Sequence, residues 1–177
     1  MIPLRATNYK LSESWPPAVI IHHSACRFKV PELEIDKTKF QTGKLHSLNY
    51  SIRRERETGF NFIVERVDND FHVICSQPLM TQCIYPDIEE KYWRAVHICL
   101  MGNYNKDIPM NRMYTVLSYR ILAPLMRLFI IKEEDVLLHS TISKEDITCP
   151  GEFVNKEKLL MSLRNVLKRR AVTRRTS

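Results

Sequence analysis

Two short apolar stretches that each run into a histidine constrain this chain more than any other feature. The first is Ile20-Ile21-His22-His23-Ser24-Ala25 and the second Val136-Leu137-Leu138-His139. Both have the length and character of buried strands. Ten residues beyond His139 comes Cys149, in a Cys149-Pro150-Gly151 turn. Two imidazoles and one thiolate suffice to hold a zinc ion while leaving its fourth position open to water. That is the pattern of a catalytic site, since structural zinc sites close all four positions. Each residue alone also has an ordinary reading. A histidine at the end of a buried strand is usually a satisfied core or edge residue, and a cysteine before Pro-Gly is often only part of a turn. Their combination carries the zinc reading.

The rest of the chain supplies the parts of one α/β domain. At 177 residues it is long enough to bury a core without disulfide staples. Residues 1–17 are polar, end in Trp15-Pro16-Pro17, and read as an irregular lead-in. The first strand covers 18–25. Residues 28–40 alternate loosely, with Pro31 confining them to an edge or loop, and 44–57 read as a short charged helix. Two β-rich runs, 59–67 and 71–75, flank Asp68-Asn69-Asp70 and predict a hairpin. Residues 95–101 predict another buried strand, closed by Gly102-Asn103. Helical spacing runs over 111–131 through Met113, Leu117, Ile121 and Leu125, and Pro124 should kink that helix. Asn155 is placed to cap a closing amphipathic helix carrying Leu159, Leu160, Leu163, Val166 and Leu167. Strands that alternate with helices predict a single α/β domain with a mixed central sheet flanked by helices. Its expected bounds are 18–155, followed by a basic helix and tail over 156–177.

Charge separates those two parts. Residues 156–177 hold eight basic side chains and one acid, so this segment alone carries the net +7 and the remainder is neutral. A basic tail suits an anionic cell-wall polymer or an acidic protein partner, or it is simply a solvated helix end. Nucleic acid is disfavoured, because no aromatics interleave with the basic residues. No apolar run reaches the ~20 residues of a membrane span, and Met1-Ile2-Pro3-Leu4-Arg5 lacks the apolar region of a signal peptide. The expectation is synthesis in a cytoplasm. Five cysteines, an odd number without paired spacing, argue against a disulfide scaffold. Cys26, Cys75, Cys83 and Cys99 read as small buried hydrophobes.

Five pieces stand in a telling order between about residues 18 and 155. They are Ile21-His22-His23-Ser24-Ala25, Gly59-Phe60-Asn61-Phe62-Ile63-Val64, Ile98-Cys99-Leu100-Met101-Gly102-Asn103-Tyr104, the long helix after them, and His139 with Cys149-Pro150-Gly151. That order resembles the type 2 N-acetylmuramoyl-L-alanine amidases, the zinc fold shared by phage lysozyme-amidases and peptidoglycan recognition proteins. The resemblance implies Zn2+ on His22, His139 and Cys149, with His23 on the opposite face of its strand. It implies peptidoglycan as partner, cut at the amide between muramoyl lactate and L-alanine.

The chain also departs from that family's pattern. Phage-type members carry a tyrosine where Phe60 stands, and a lysine or threonine where Ile147 stands. A glutamate used by the cytosolic branch is replaced by Cys99. A groove histidine is missing from the segment Cys83-Ile84-Tyr85-Pro86-Asp87, and a usual glycine has become His97. The loop from His139 to Cys149 is two residues longer than usual.

Amide hydrolysis at zinc needs a group to move the proton of the metal-bound water. His97, on the same strand face as Cys99, is the expected proton carrier, with simple space-filling as the alternative. Glu65 reads as a solvated charge at a strand end, and Tyr104 as a packing residue. Three functional readings follow. The first is a zinc amidase of endolysin or prophage type, put first because three spaced ligands are costly to retain without use. The second is a degenerate amidase fold that binds wall peptides, and the third a structural component of a phage tail, baseplate or other assembly. The site of action is then the cell wall, or the protein is incorporated in a virion.

Overall fold

Strand β1 (Val19–His23) is buried along its whole length and lies between two parallel partners. The computed structural model of the protein describes residues 16–24, 59–67 and 70–173, with side chains to 169. Most of the lead-in, the runs expected at 28–40 and 44–57, and Cys26 lie outside the described residues. The other strands among the described residues are β2 (Phe62–Val67), β3 (Asp70–Cys75), β4 (Val96–Leu100) and β5 (Val136–Leu138). They form one sheet in the order β3-β2-β4-β1-β5. Only the β2–β3 hairpin is antiparallel, and the other pairings are parallel. This is the mixed central sheet expected from the sequence.

Parallel strands covered on both faces read as unbroken apolar runs. Their alternation sorts the side chains into two cores. Val19, Ile21, Val96, Ile98, Leu100 and Val136 face one way, where three helical stretches and a closing helix cover them. Ile20, Phe60, Ile63 and Cys99 belong to a second, smaller core with Cys83, Tyr85 and Ile88. The candidate site stands on this second face.

The helix after β4 is continuous but changes register. Helix α1 (Asn111–Leu117) passes into a π turn (Ser118–Leu122) and then into α2 (Ala123–Phe129). The π spacing is visible in the Ala123 N–H, which bonds to the Ser118 carbonyl. Pro124 has no N–H to offer and its ring clashes with a regular preceding turn. The wider turn just before it relieves both, so the expected kink is realised as a π turn. Helix α3 (Lys156–Thr173) starts as expected, with the Lys158 N–H donating to Asn155 Oδ1 at 2.9 Å. Leu159 and Leu163 are fully buried in the larger core. Burial of each is worth about 1.5–3 kcal/mol.

Two expectations need correction. Cys75 is exposed, because it ends β3, the edge strand of the described sheet. Glu65 is not a solvated charge: β2 continues to Val67, so Glu65 is inside the strand opposite His72 and only 3% exposed. Alternation puts it on the same face as Ile63, the side of the candidate site. Cys83, Cys99 and Cys149 are buried. Among the described residues, no helix is long and apolar enough to cross a membrane.

Candidate metal centre

The parallel register brings distant residues level. Ile21 pairs with Leu138, so the next residues, His22 and His139, leave adjacent strands side by side. Their rings stand 4.5 Å apart, centre to centre. β1 ends at His23 and β5 ends just before His139, so both imidazoles lie at the carboxyl ends of parallel strands, where α/β sheets ordinarily bind ligands. His139 opens a single 3-10 turn, His139–Thr141, and the chain returns ten residues later with Cys149. The Ser140 N–H donates to the Cys149 carbonyl at 2.7 Å and closes that loop.

Cys149 completes the cluster. Its Sγ lies 4.0 Å from His22 Nδ1, and it accepts the His23 backbone N–H at 3.4 Å. One donor atom from each of His22, His139 and Cys149 falls within 4.8 Å of the others, and all three residues are buried. The structure thus gathers the three residues singled out in the sequence. His23 turns to the other face, where its Nδ1 accepts the Tyr104 N–H at 3.2 Å.

Each imidazole of the cluster has a polar neighbour behind it. His139 Nε2 stands 2.7 Å from Asp87 Oδ2. Asp87 is fixed in turn by the Ser143 hydroxyl at 3.0 Å and, through its carbonyl, by the Lys144 N–H at 2.7 Å. Carboxylates so placed orient metal-binding imidazoles. His22 Nε2 is 2.9 Å from His97 Nδ1, and His97 Nε2 is 3.0 Å from the Tyr92 carbonyl. Both ring nitrogens of His97 are therefore engaged, and the residue is fully buried. Tyr85 roofs this pair, stacked at 4.7 Å on His97 and 4.8 Å on His22. Its hydroxyl donates to the Gly59 carbonyl at 2.7 Å. Phe60 meets His22 edge-on at 5.3 Å and brings no polar atom.

Tyr85 and Asp87 were not singled out as site residues. Their segment carries no strand or helix period, and the only signal was the missing histidine there. Tyr104 packs as expected: burial raises its hydroxyl to about 12, and it donates to the Met101 carbonyl at 3.1 Å.

Fold and site together define an α/β protein with a mixed five-stranded sheet, similar in fold to solved structures of AmpD and PlyL, and with a buried His–His–Cys cluster. The solved structures it is similar to include a selenomethionine derivative of AmpD, at 16% identity over 85% of this chain and 86% of that one, with a TM-score of 0.55. A point variant of PlyL matches at 13% identity over 89% and 93%, with a TM-score of 0.52. The N-acetylmuramoyl-L-alanine amidase LysC from Clostridium intestinale URNW matches at 20% identity over 86% and 89%, with a TM-score of 0.47. No protein-family model and no curated protein sequence gives a significant match.

Proposed function

We propose that this chain is a zinc-dependent amidase of endolysin type, cutting the muramoyl–L-alanine amide of peptidoglycan. The observation that carries the reading is the buried cluster of His22, His139 and Cys149 at the carboxyl ends of parallel strands, in an amidase-like fold. The donor set fits zinc. Around a tetrahedral zinc, with Zn–N of about 2.0–2.1 Å and Zn–S of about 2.3 Å, donor atoms lie about 3.3–3.7 Å apart. The three here already lie within 4.8 Å, so small side-chain shifts close the set. When bound, zinc supplies a water of lowered pKa and polarises the scissile carbonyl. The chain's own part is to hold three ligands, with Asp87 braced against His139, and to leave a fourth position open.

The experiment is digestion of purified peptidoglycan with zinc-loaded protein, scoring release of peptides with a free L-alanine amino terminus. Such release, lost on zinc removal, supports the enzyme. A zinc-loaded but inert protein favours the second reading, a degenerate fold that binds wall peptides or serves in a phage tail or other assembly. One observation speaks for that reading: Phe60, against His22, has no hydroxyl for the oxyanion, and Ile147 near Cys149 has none either. Phe60→Tyr separates the two. A hydroxyl donor to the oxyanion is worth about 10²-fold or more in rate. A silent wild type that gains turnover in Phe60→Tyr is a fold that has lost one group. A variant as silent as the parent leaves the structural role.

The basic end of the chain serves, in this reading, to dock the protein on anionic wall polymer. Truncation after Lys168 spares Leu159, Leu163 and Leu167 and removes Arg169, Arg170, Arg174 and Arg175. The shortened protein is expected to keep its fold by circular dichroism and to lose salt-sensitive binding to cell walls. Equal sedimentation of both forms with walls at low salt would reject the docking role.

A further inference from the structure

We propose that His97 is a positioning residue, which fixes the nitrogen that His22 presents to the metal cluster. The inference rests on the reading of His22, His139 and Cys149 as a metal site. It starts from the far end of a short relay. The Tyr92 carbonyl can only accept, so His97 Nε2, 3.0 Å away, carries the hydrogen. In a neutral ring His97 Nδ1 is then a lone pair. His22 Nε2 lies 2.9 Å from that lone pair and must donate to it. The remaining nitrogen of His22, Nδ1, is left as a lone pair, and it is the atom that faces Cys149 Sγ. Two successive hydrogen bonds therefore end in a lone pair aimed into the cluster.

The relay matters because a neutral imidazole has two tautomers. With its hydrogen on Nδ1, His22 would point an N–H at the metal and could not bind it. Both rings are buried, at 2% and 0% exposed, so water does not compete for these nitrogens. His97 itself has little freedom to turn. Its backbone N–H donates to Asn61 Oδ1 at 2.9 Å, and its carbonyl accepts the Asn61 N–H at 2.8 Å. The Asn61 amide nitrogen is in turn anchored on the Pro78 carbonyl at 2.9 Å. Tyr85 lies flat on the His97 ring, with 9° between the planes. A residue clamped through backbone, ring edge and ring face is built to hold a direction. A proton carrier needs a ring nitrogen turned toward the metal-bound water, and His97 has committed both elsewhere.

Nitrogen-15 NMR of the metal-free protein at neutral pH tests the relay without zinc or activity. Both His22 and His97 should appear as neutral rings with hydrogen on Nε2. A proton on Nδ1 of His22, or a His97 imidazolium, overturns the relay. Zinc affinity, read by competition with a chelator, gives the second arm. His97→Leu should weaken binding by about 10–100-fold, the usual effect of removing a group that orients a ligand. His97→Asn keeps an acceptor near the place of Nδ1 and should retain most of the affinity, with a Co2+ absorption spectrum like that of the parent. Equal affinity in the wild type, Leu and Asn forms would reduce His97 to a space-filler. If Leu fails to fold, by thermal melt, the Asn variant and the NMR pattern still decide. A wild type that takes up no zinc overturns the metal reading alone, while a wrong tautomer overturns the relay alone.

Discussion

His22→Ala is expected to leave the protein folded and without zinc, while His23→Ala keeps about one zinc per chain and unfolds more easily. The contrast follows from alternation along β1. His22 faces the cluster, with Nδ1 toward Cys149, so its removal leaves only two ligands. Two ligands do not hold a structured zinc site against solvent. His23 lies on the helical face, fully buried, and accepts the Tyr104 N–H. Its loss strands that buried donor at a cost of about 1–3 kcal/mol, besides the cavity it opens. Elemental analysis and urea unfolding of both variants read the two effects separately. Zinc loss in His23→Ala, with retention in His22→Ala, would mean that the strand register is one residue off.

The second large effect is expected at a residue that touches no metal. Gly151 has φ of +110°, where L side chains are strained, and a Cβ there would lie 2.5 Å from the Tyr104 carbonyl carbon. Tyr104 is backbone in a tight loop, so the clash is with something that cannot swing away. Positive-φ strain and overpacking each cost on the order of 1–3 kcal/mol. The strain falls two residues from Cys149, on a turn where the Gly151 N–H bonds back to Thr148 and the Phe153 N–H to Tyr104 at 3.1 Å. Gly151→Ala should therefore lower both the unfolding midpoint and the zinc affinity. Unchanged values for both would show that the turn adapts and that its glycine is dispensable.

How much of this was legible in the sequence depended on periodicity. β1, β4 and β5 could be found because strands buried on both faces leave unbroken apolar runs. Helix α1 through α2 could be found because Met113, Leu117, Ile121 and Leu125, all buried, recur every four positions although the backbone register changes at the π turn. The three candidate ligands were legible for a related reason: two lie at the ends of such strands, and the third in a Pro-Gly turn. The partners behind them were not. Asp87 and Tyr85 lie in an irregular stretch between β3 and β4, and Tyr92 ends a single 3-10 turn there, so no period declares which side chains turn inward. His97 was assigned to the correct face, but a strand pattern says nothing of what its ring nitrogens meet. The clamp by Asn61 was invisible for the same reason. Glu65 and Cys75 were misjudged because the length of β2 and the edge position of β3 are set by pairing, which single-strand patterns do not contain.

The place of β1 in the sheet has a consequence for biogenesis. Val19 pairs with Val96 on one side and Val136 on the other, so the first of the described strands to be synthesised must wait for the last two. Until then Val19, Ile20 and Ile21 form an unpaired apolar edge, the kind that recruits chaperones or aggregates. Long-range parallel pairings of this sort also fold slowly. A chain cut short before β5 would leave β1 open on one side and lack His139 and Cys149 together. Premature truncation should therefore yield insoluble material rather than a half-active domain.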